Sequence, residues 1–134
     1  MRNRSVVVLF VIGCGGGQSP TSSGVDPTRT LASLDPDEKD DLCRYLVGLE
    51  EHPTRMVDCE QFSAIVGVDD VEGTIQACIQ TGTTPGCSYT VGQAEACREA
   101  IVALTDPEIC ALAGGQMPLP SECDGQVEGC GVLP

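Results

Sequence analysis

The side chains with most chemical potential here are nine cysteines: Cys14, Cys43, Cys59, Cys78, Cys87, Cys97, Cys110, Cys123 and Cys130. A thiol can attack, ligate a metal or pair, and spacing helps to separate these uses. No two form a C-x-x-C pair. The closest, Cys123 and Cys130, are seven positions apart, whereas structural zinc sites gather pairs about two to four residues apart. The single histidine, His52, lies in the charged stretch Glu50-Glu51-His52-Pro53 and reads as a solvated loop residue. Asp35-Pro36-Asp37 opens like a calcium loop, but Lys39 stands at its third ligand position and the turn glycine is missing. No metal and no other cofactor is expected.

Catalytic patterns are equally sparse. The chain has no Gly-x-Ser-x-Gly elbow, no His-Glu-x-x-His and no phosphate loop. Acid pairs such as Asp40-Asp41 and Asp69-Asp70 could in principle do acid–base work. Neighbours in sequence do not face each other on a helix. Both pairs also stand at helix starts, where carboxylates favour the positive end of the dipole. No catalytic residue is assigned, and the expectation is a protein that is not an enzyme.

The elements that must position the cysteines begin with MRNRSVVVLFVIGCGGG. Arg2 and Arg4 form a basic head, and Val6 to Ile12 form an apolar run. As a helix the run would reach only about 10 Å, well short of a hydrocarbon core of about 30 Å. Basic head, short apolar run and small residue at a cut site is the order of an export signal. Val11-Ile12-Gly13-Cys14 resembles the lipobox of bacterial lipoproteins. The resemblance implies residues 1–13 as a signal peptide, cleavage before Cys14, and a lipidated Cys14 as the membrane attachment. One acyl chain binds marginally and two bind stably; the lipoprotein modification supplies two or three. Gly15 permits sorting to the outer membrane, so the expected location is the bacterial cell envelope, outer membrane rather than inner.

Removing Cys14 from the count leaves eight cysteines in an oxidising compartment, which reads as up to four disulfides. Eight cysteines allow 105 pairings, and spacing does not choose among them. With all eight paired no thiol nucleophile remains. Residues 14–30, rich in Gly, Ser, Thr and Pro, read as a flexible linker of roughly 20 Å average span. Residues 31–134 then form one domain of about one hundred residues.

Loss of the signal leaves five cations against 20 acids, a formal charge of −15. Such a domain is repelled by nucleic-acid phosphates, so no nucleic-acid partner is expected. The membrane is reached through the lipid at Cys14; a protein or envelope-polymer partner is left unspecified. Aromatic residues are few and there is no Trp, so the core is thin and suits covalent staples.

Four helix starts stand out, and the expected class is all-α with about four short helices and an irregular C-terminal tail. Asp35-Pro36-Asp37-Glu38 combines a cap, a proline at the first helical position and a glutamate reaching back, predicting a helix to about Glu51. Asp69-Asp70-Val71-Glu72 starts a second, with Val71, Ile75, Cys78 and Ile79 as its stripe. Phe62, Ala64, Ile65 and Val66 before it read as a shorter helix. Thr90-Val91-Gly92-Gln93 starts a third carrying Ala94, Cys97, Ile101 and Leu104. Asp106-Pro107-Glu108 starts a fourth, which Gly114 and Gly115 end. Cys78 and Cys97 lie in apolar stripes and Cys43 beside one, so they should cross-link helices.

The layout also resembles small cysteine-rich lipoproteins of myxobacterial-type genomes. It does so in the Gly13-Cys14-Gly15-Gly16-Gly17 exit, the Leu34-to-Cys43 helix, and Cys87-Ser88-Tyr89-Thr90-Val91-Gly92 leading to Glu95-Ala96-Cys97. That resemblance implies no particular activity. The expected function is a non-catalytic binding or structural module on the envelope. One alternative is an exported inhibitor of a protease or other effector, presenting the Thr81 to Gly86 turn with Thr83 and Thr84. Another is a metal or thiol-redox protein.

Overall fold

The computed structural model describes residues 20–82, 86–124 and 130. The expected signal peptide, Cys14 and the start of the linker lie outside the described residues, as do Thr83 and Thr84. The elements in chain order are α1 (Pro36–Gly48), β1 (Arg55–Cys59), β2 (Phe62–Val66), α2 (Val71–Gln80), α3 (Val91–Val102) and α4 (Asp106–Ala113). Short 3₁₀ turns at Leu31–Ser33 and Ser121–Cys123 precede and follow them.

The helix starts follow their local chemistry. Asp35 accepts from the amides of Asp37 and Glu38, both at 2.9 Å, while Glu38 accepts from the Asp35 amide at 3.0 Å. Thr90 and Gln93 make the same reciprocal bonds at the head of α3. Glu108 reaches back to the amide and hydroxyl of Thr105 at the head of α4, so the cap is Thr105 rather than Asp106. The cap of α2 is Asp70, which accepts from the Gly73 amide at 2.9 Å. Asp69 accepts instead from the amide and hydroxyl of Thr54, both at 2.9 Å. α1 stops at Gly48, one turn before the expected end at Glu51.

The all-α expectation is overturned by β1 and β2, which pair antiparallel with Cys59 opposite Phe62 and Arg55 opposite Val66. The run Phe62 to Val66, expected as a short helix, is a strand. Five apolar-rich residues carry too little periodicity to separate the two states, and tertiary contacts decide. Arg55-Met56-Val57-Asp58-Cys59 does alternate: Val57 is buried while Met56 and Asp58 are exposed. The connecting Glu60-Gln61 lacks the Asn or Gly that would mark a tight hairpin.

Four disulfides tie these elements together: Cys43–Cys78, Cys59–Cys110, Cys87–Cys130 and Cys97–Cys123. Cys43–Cys78 joins α1 to α2 inside a small cluster with Val47 and Ile75. Cys97–Cys123 joins α3 to the C-terminal segment, and Cys87–Cys130 closes the main core of Leu42, Leu46, Tyr89, Val91 and Ala94. The core thus uses disulfides where a larger domain would use aromatic side chains.

The last part of the expected flexible linker is docked. Val25 belongs to the main core. The Arg29 carbonyl accepts from the Val91 amide at 2.9 Å, and the Leu31 amide donates to the Tyr89 carbonyl at 2.8 Å. Glu95 on α3, itself buried, accepts from the Ser23 amide at 2.8 Å. A Gly/Ser/Pro composition describes a chain with few apolar groups to bury; one valine and a row of backbone bonds suffice to hold this segment.

Candidate binding groove

Two hollows adjoin at the exit of α1. The smaller, about 170 Å³, lies between Val47, Val68, Thr74 and Cys78. The larger, about 440 Å³, is a groove between the hairpin and the last two helices. Leu49, Ile101, Leu104 and Leu112 give it an apolar floor and far wall. Its near wall is Ala64, Ile65, Val66 and Gly67 in succession.

Each wall has a local origin. The α3 stripe that buries Ala94 and Cys97 runs on to Ile101 and, just past the helix end, to Leu104, both only half-buried. Helix α4 is held to the hairpin by Cys59–Cys110 and by the Arg55–Asp106 ion pair at 2.8 Å. Gly67 turns the chain out of β2 with φ +97°, a conformation that favours glycine. A Cβ there would also run into the Glu51 carbonyl.

Polar groups at the groove are mutually engaged. Arg98 pairs with Glu50, and Arg55 pairs with Glu51 as well as Asp106. Arg98 and Glu50 line both hollows and stand between them. A third hollow, about 470 Å³, opens at the turn end of the hairpin, with Asp58, Glu60, Asp106 and the ring of Phe62 in its wall.

A second polar group ties α1 to α3. The Tyr45 hydroxyl donates to Glu99 at 2.6 Å and lies 3.2 Å from the Thr21 carbonyl. Burial, then the Glu99 carboxylate, pushes the Tyr45 phenol up to about 12. Burial likewise raises that of Tyr89, whose hydroxyl donates to the Gln93 carbonyl. This polar group holds elements in place and opens onto none of the three hollows.

The residues singled out in the sequence are scattered. His52 is exposed, its Nδ1 3.2 Å from the Glu50 carbonyl. Asp40 pairs with Arg44 at 2.8 Å, and Asp69 and Asp70 serve Thr54 and α2 respectively. The eight cysteines beyond Cys14 close among themselves. Among the described residues no three His, Cys, Asp or Glu side chains converge as a metal-holding group, and no helix is long and apolar enough to cross a membrane. The groove itself was missed. Its one visible signal was the apolar stripe of the third helix continuing past the cysteine it buries.

No protein family, no curated protein and no solved structure matches the chain.

Proposed function

We propose that this chain is a lipid-anchored, non-catalytic binding module of a bacterial cell envelope, outer membrane rather than inner, holding a protein or envelope partner through the groove. The observation that carries the exported, anchored part is the pairing of the cysteines. All eight in the body are consumed by four disulfides, which matches an oxidising compartment. Cys14 is the one left over, directly behind the apolar run where a lipobox needs it. The binding part is supported by the groove: an apolar trough rimmed by ion pairs is the usual composition of a recognition site. The strongly acidic body supports a partner other than nucleic acid.

The test is the intact mass of membrane-extracted protein, alkylated with and without prior reduction, beside a Cys14→Ala variant. The expected result is a chain beginning at Cys14 with added acyl mass, thiols appearing only on reduction, and release of the variant from the membrane. A native protein that keeps Met1, or shows free thiols before reduction, overturns the reading and brings thiol or metal chemistry forward.

A further inference from the structure

The groove is bordered by a strand edge, and this limits what it can take. Successive residues of a strand point to opposite faces. A surface lined by Ala64, Ile65, Val66 and Gly67 in a row therefore reaches the main chain of β2, while Arg55 of β1, opposite Val66, carries it onto the sheet face toward α4. Among the described residues β2 pairs with β1 alone. Alternate residues of an antiparallel strand direct both main-chain groups away from their partner. Among the described residues no backbone hydrogen bond from Phe62 to Val66 reaches beyond the hairpin. Such an edge is a template for a further strand.

The two ends of this edge differ in chemistry. At the Gly67 end lies the apolar trough. At the Phe62 end, about 16 Å away for five extended residues, Glu60 of the turn stands beside the 41 % exposed Phe62, with Asp58 one strand further in, on β1 opposite Ser63. Neither Asp58 nor Glu60 has an ion pair among the described residues. Carboxylates beside an aromatic face suit a lysine or arginine. A second copy of the chain is disfavoured as occupant, because edge-to-edge pairing would bring together two bodies that each carry 20 acids against five cations.

We propose that the free edge of β2 receives an extended peptide as a third strand. Its apolar side chains enter the groove and a basic side chain lies against Asp58, Glu60 and Phe62. This deepens the binding reading above and rests on it only for the groove, since the lipid at Cys14 is judged by mass.

The probe is a synthetic peptide of about seven residues, alternating Val and Thr with a Lys at one end, titrated calorimetrically into the full-length, disulfide-intact protein in detergent. Three altered peptides accompany it: one N-methylated at alternate amides, one N-methylated at the intervening amides, and one with Glu in place of Lys. The parent is expected to bind. One N-methylated series, whose blocked amides face β2, should lose about tenfold or more, while the other keeps its affinity. The Glu peptide should lose about tenfold and recover on Glu60→Lys, a change in an exposed turn. Leu112→Arg, which fills the groove, should weaken the parent peptide. Equal binding by both N-methylated peptides would show side-chain insertion without strand addition and would overturn the proposal. So would self-association of the protein with no response to any peptide, since the occupant would then be a second copy. An unresponsive, monomeric protein overturns it too, and leaves the acyl mass at Cys14 to decide the anchored reading by itself.

Discussion

Arg98, midway along α3, is ion-paired to Glu50 just past the end of α1, and the two side chains, 16 % and 15 % exposed, separate the small inner hollow from the groove. A pair this poorly hydrated is costly to break from one side, because the partner left behind keeps its charge without the carboxylate. Glu50→Ala should lower stability by about 1–3 kcal/mol. Asp40→Ala, which removes the exposed partner of Arg44, should cost at most about 1 kcal/mol. Urea unfolding midpoints of the two variants check the contrast.

Gly67 and Gly48 should respond to alanine in opposite directions. At Gly67 the positive φ and the Glu51 carbonyl both oppose a Cβ, and that carbonyl already accepts from the Val68 amide at 2.8 Å. Gly67→Ala should cost about 1–3 kcal/mol and loosen the groove wall. Gly48 ends α1 with open space around it, so Gly48→Ala should stabilise by about 0.4–1 kcal/mol. Thermal unfolding of the two variants reads both signs.

The four disulfides should not be reduced together. Six of the eight paired cysteines are at most 7 % exposed, whereas Cys59 and Cys110 are both half-exposed. Thiol–disulfide exchange needs access to sulfur. Graded reduction followed by alkylation and peptide mapping should label Cys59 and Cys110 first. Removing that bridge by joint Cys59→Ser and Cys110→Ser replacement should cost about 2–4 kcal/mol. The loss should concentrate in the hairpin and α4, which hydrogen exchange resolves.

Stability should fall at both ends of the pH scale. The Tyr45 phenol, raised to about 12 when folded, ionises near 10 in an unfolded chain. Its folded form holds the proton more tightly, so its contribution is complete below pH 10 and is lost as pH rises from 10 to 12. Absorbance near 295 nm should show neither of the two tyrosines ionising as an ordinary phenol until the fold opens. On the acid side, the Thr54 amide and hydroxyl hold Asp69 below the usual carboxylate range, and those of Thr105 do the same for Glu108. Their contributions are present above about pH 4 and disappear as pH falls further. Thr54→Ala and Thr105→Ala should each lower stability above about pH 4, with the difference from the parent protein vanishing as pH falls further.

Local chemistry was readable from residues alone. The heads of α1 and α3, with Asp35 and Glu38 or Thr90 and Gln93, lie within one turn of chain, and the spacing of cap and partner is the structure. The even set of cysteines behind Cys14 and the inward position of Cys78 and Cys97 were readable for the same reason: a count and a 3.6-residue stripe need no knowledge of distant residues. The partners of those cysteines were not readable, because their separations of 26 to 51 residues are set by how helices stack. β1 and β2 escaped because Phe62 to Val66 is too short to show a period, and its state depends on β1 beside it and α4 beneath it. Val25 and Ser23 looked like tether because only Tyr89, Val91 and Glu95, over sixty residues away, give them something to hold. The groove belongs to the same class: Ile101 and Leu104 are an ordinary apolar stripe until the fold leaves them half-buried beside the hairpin.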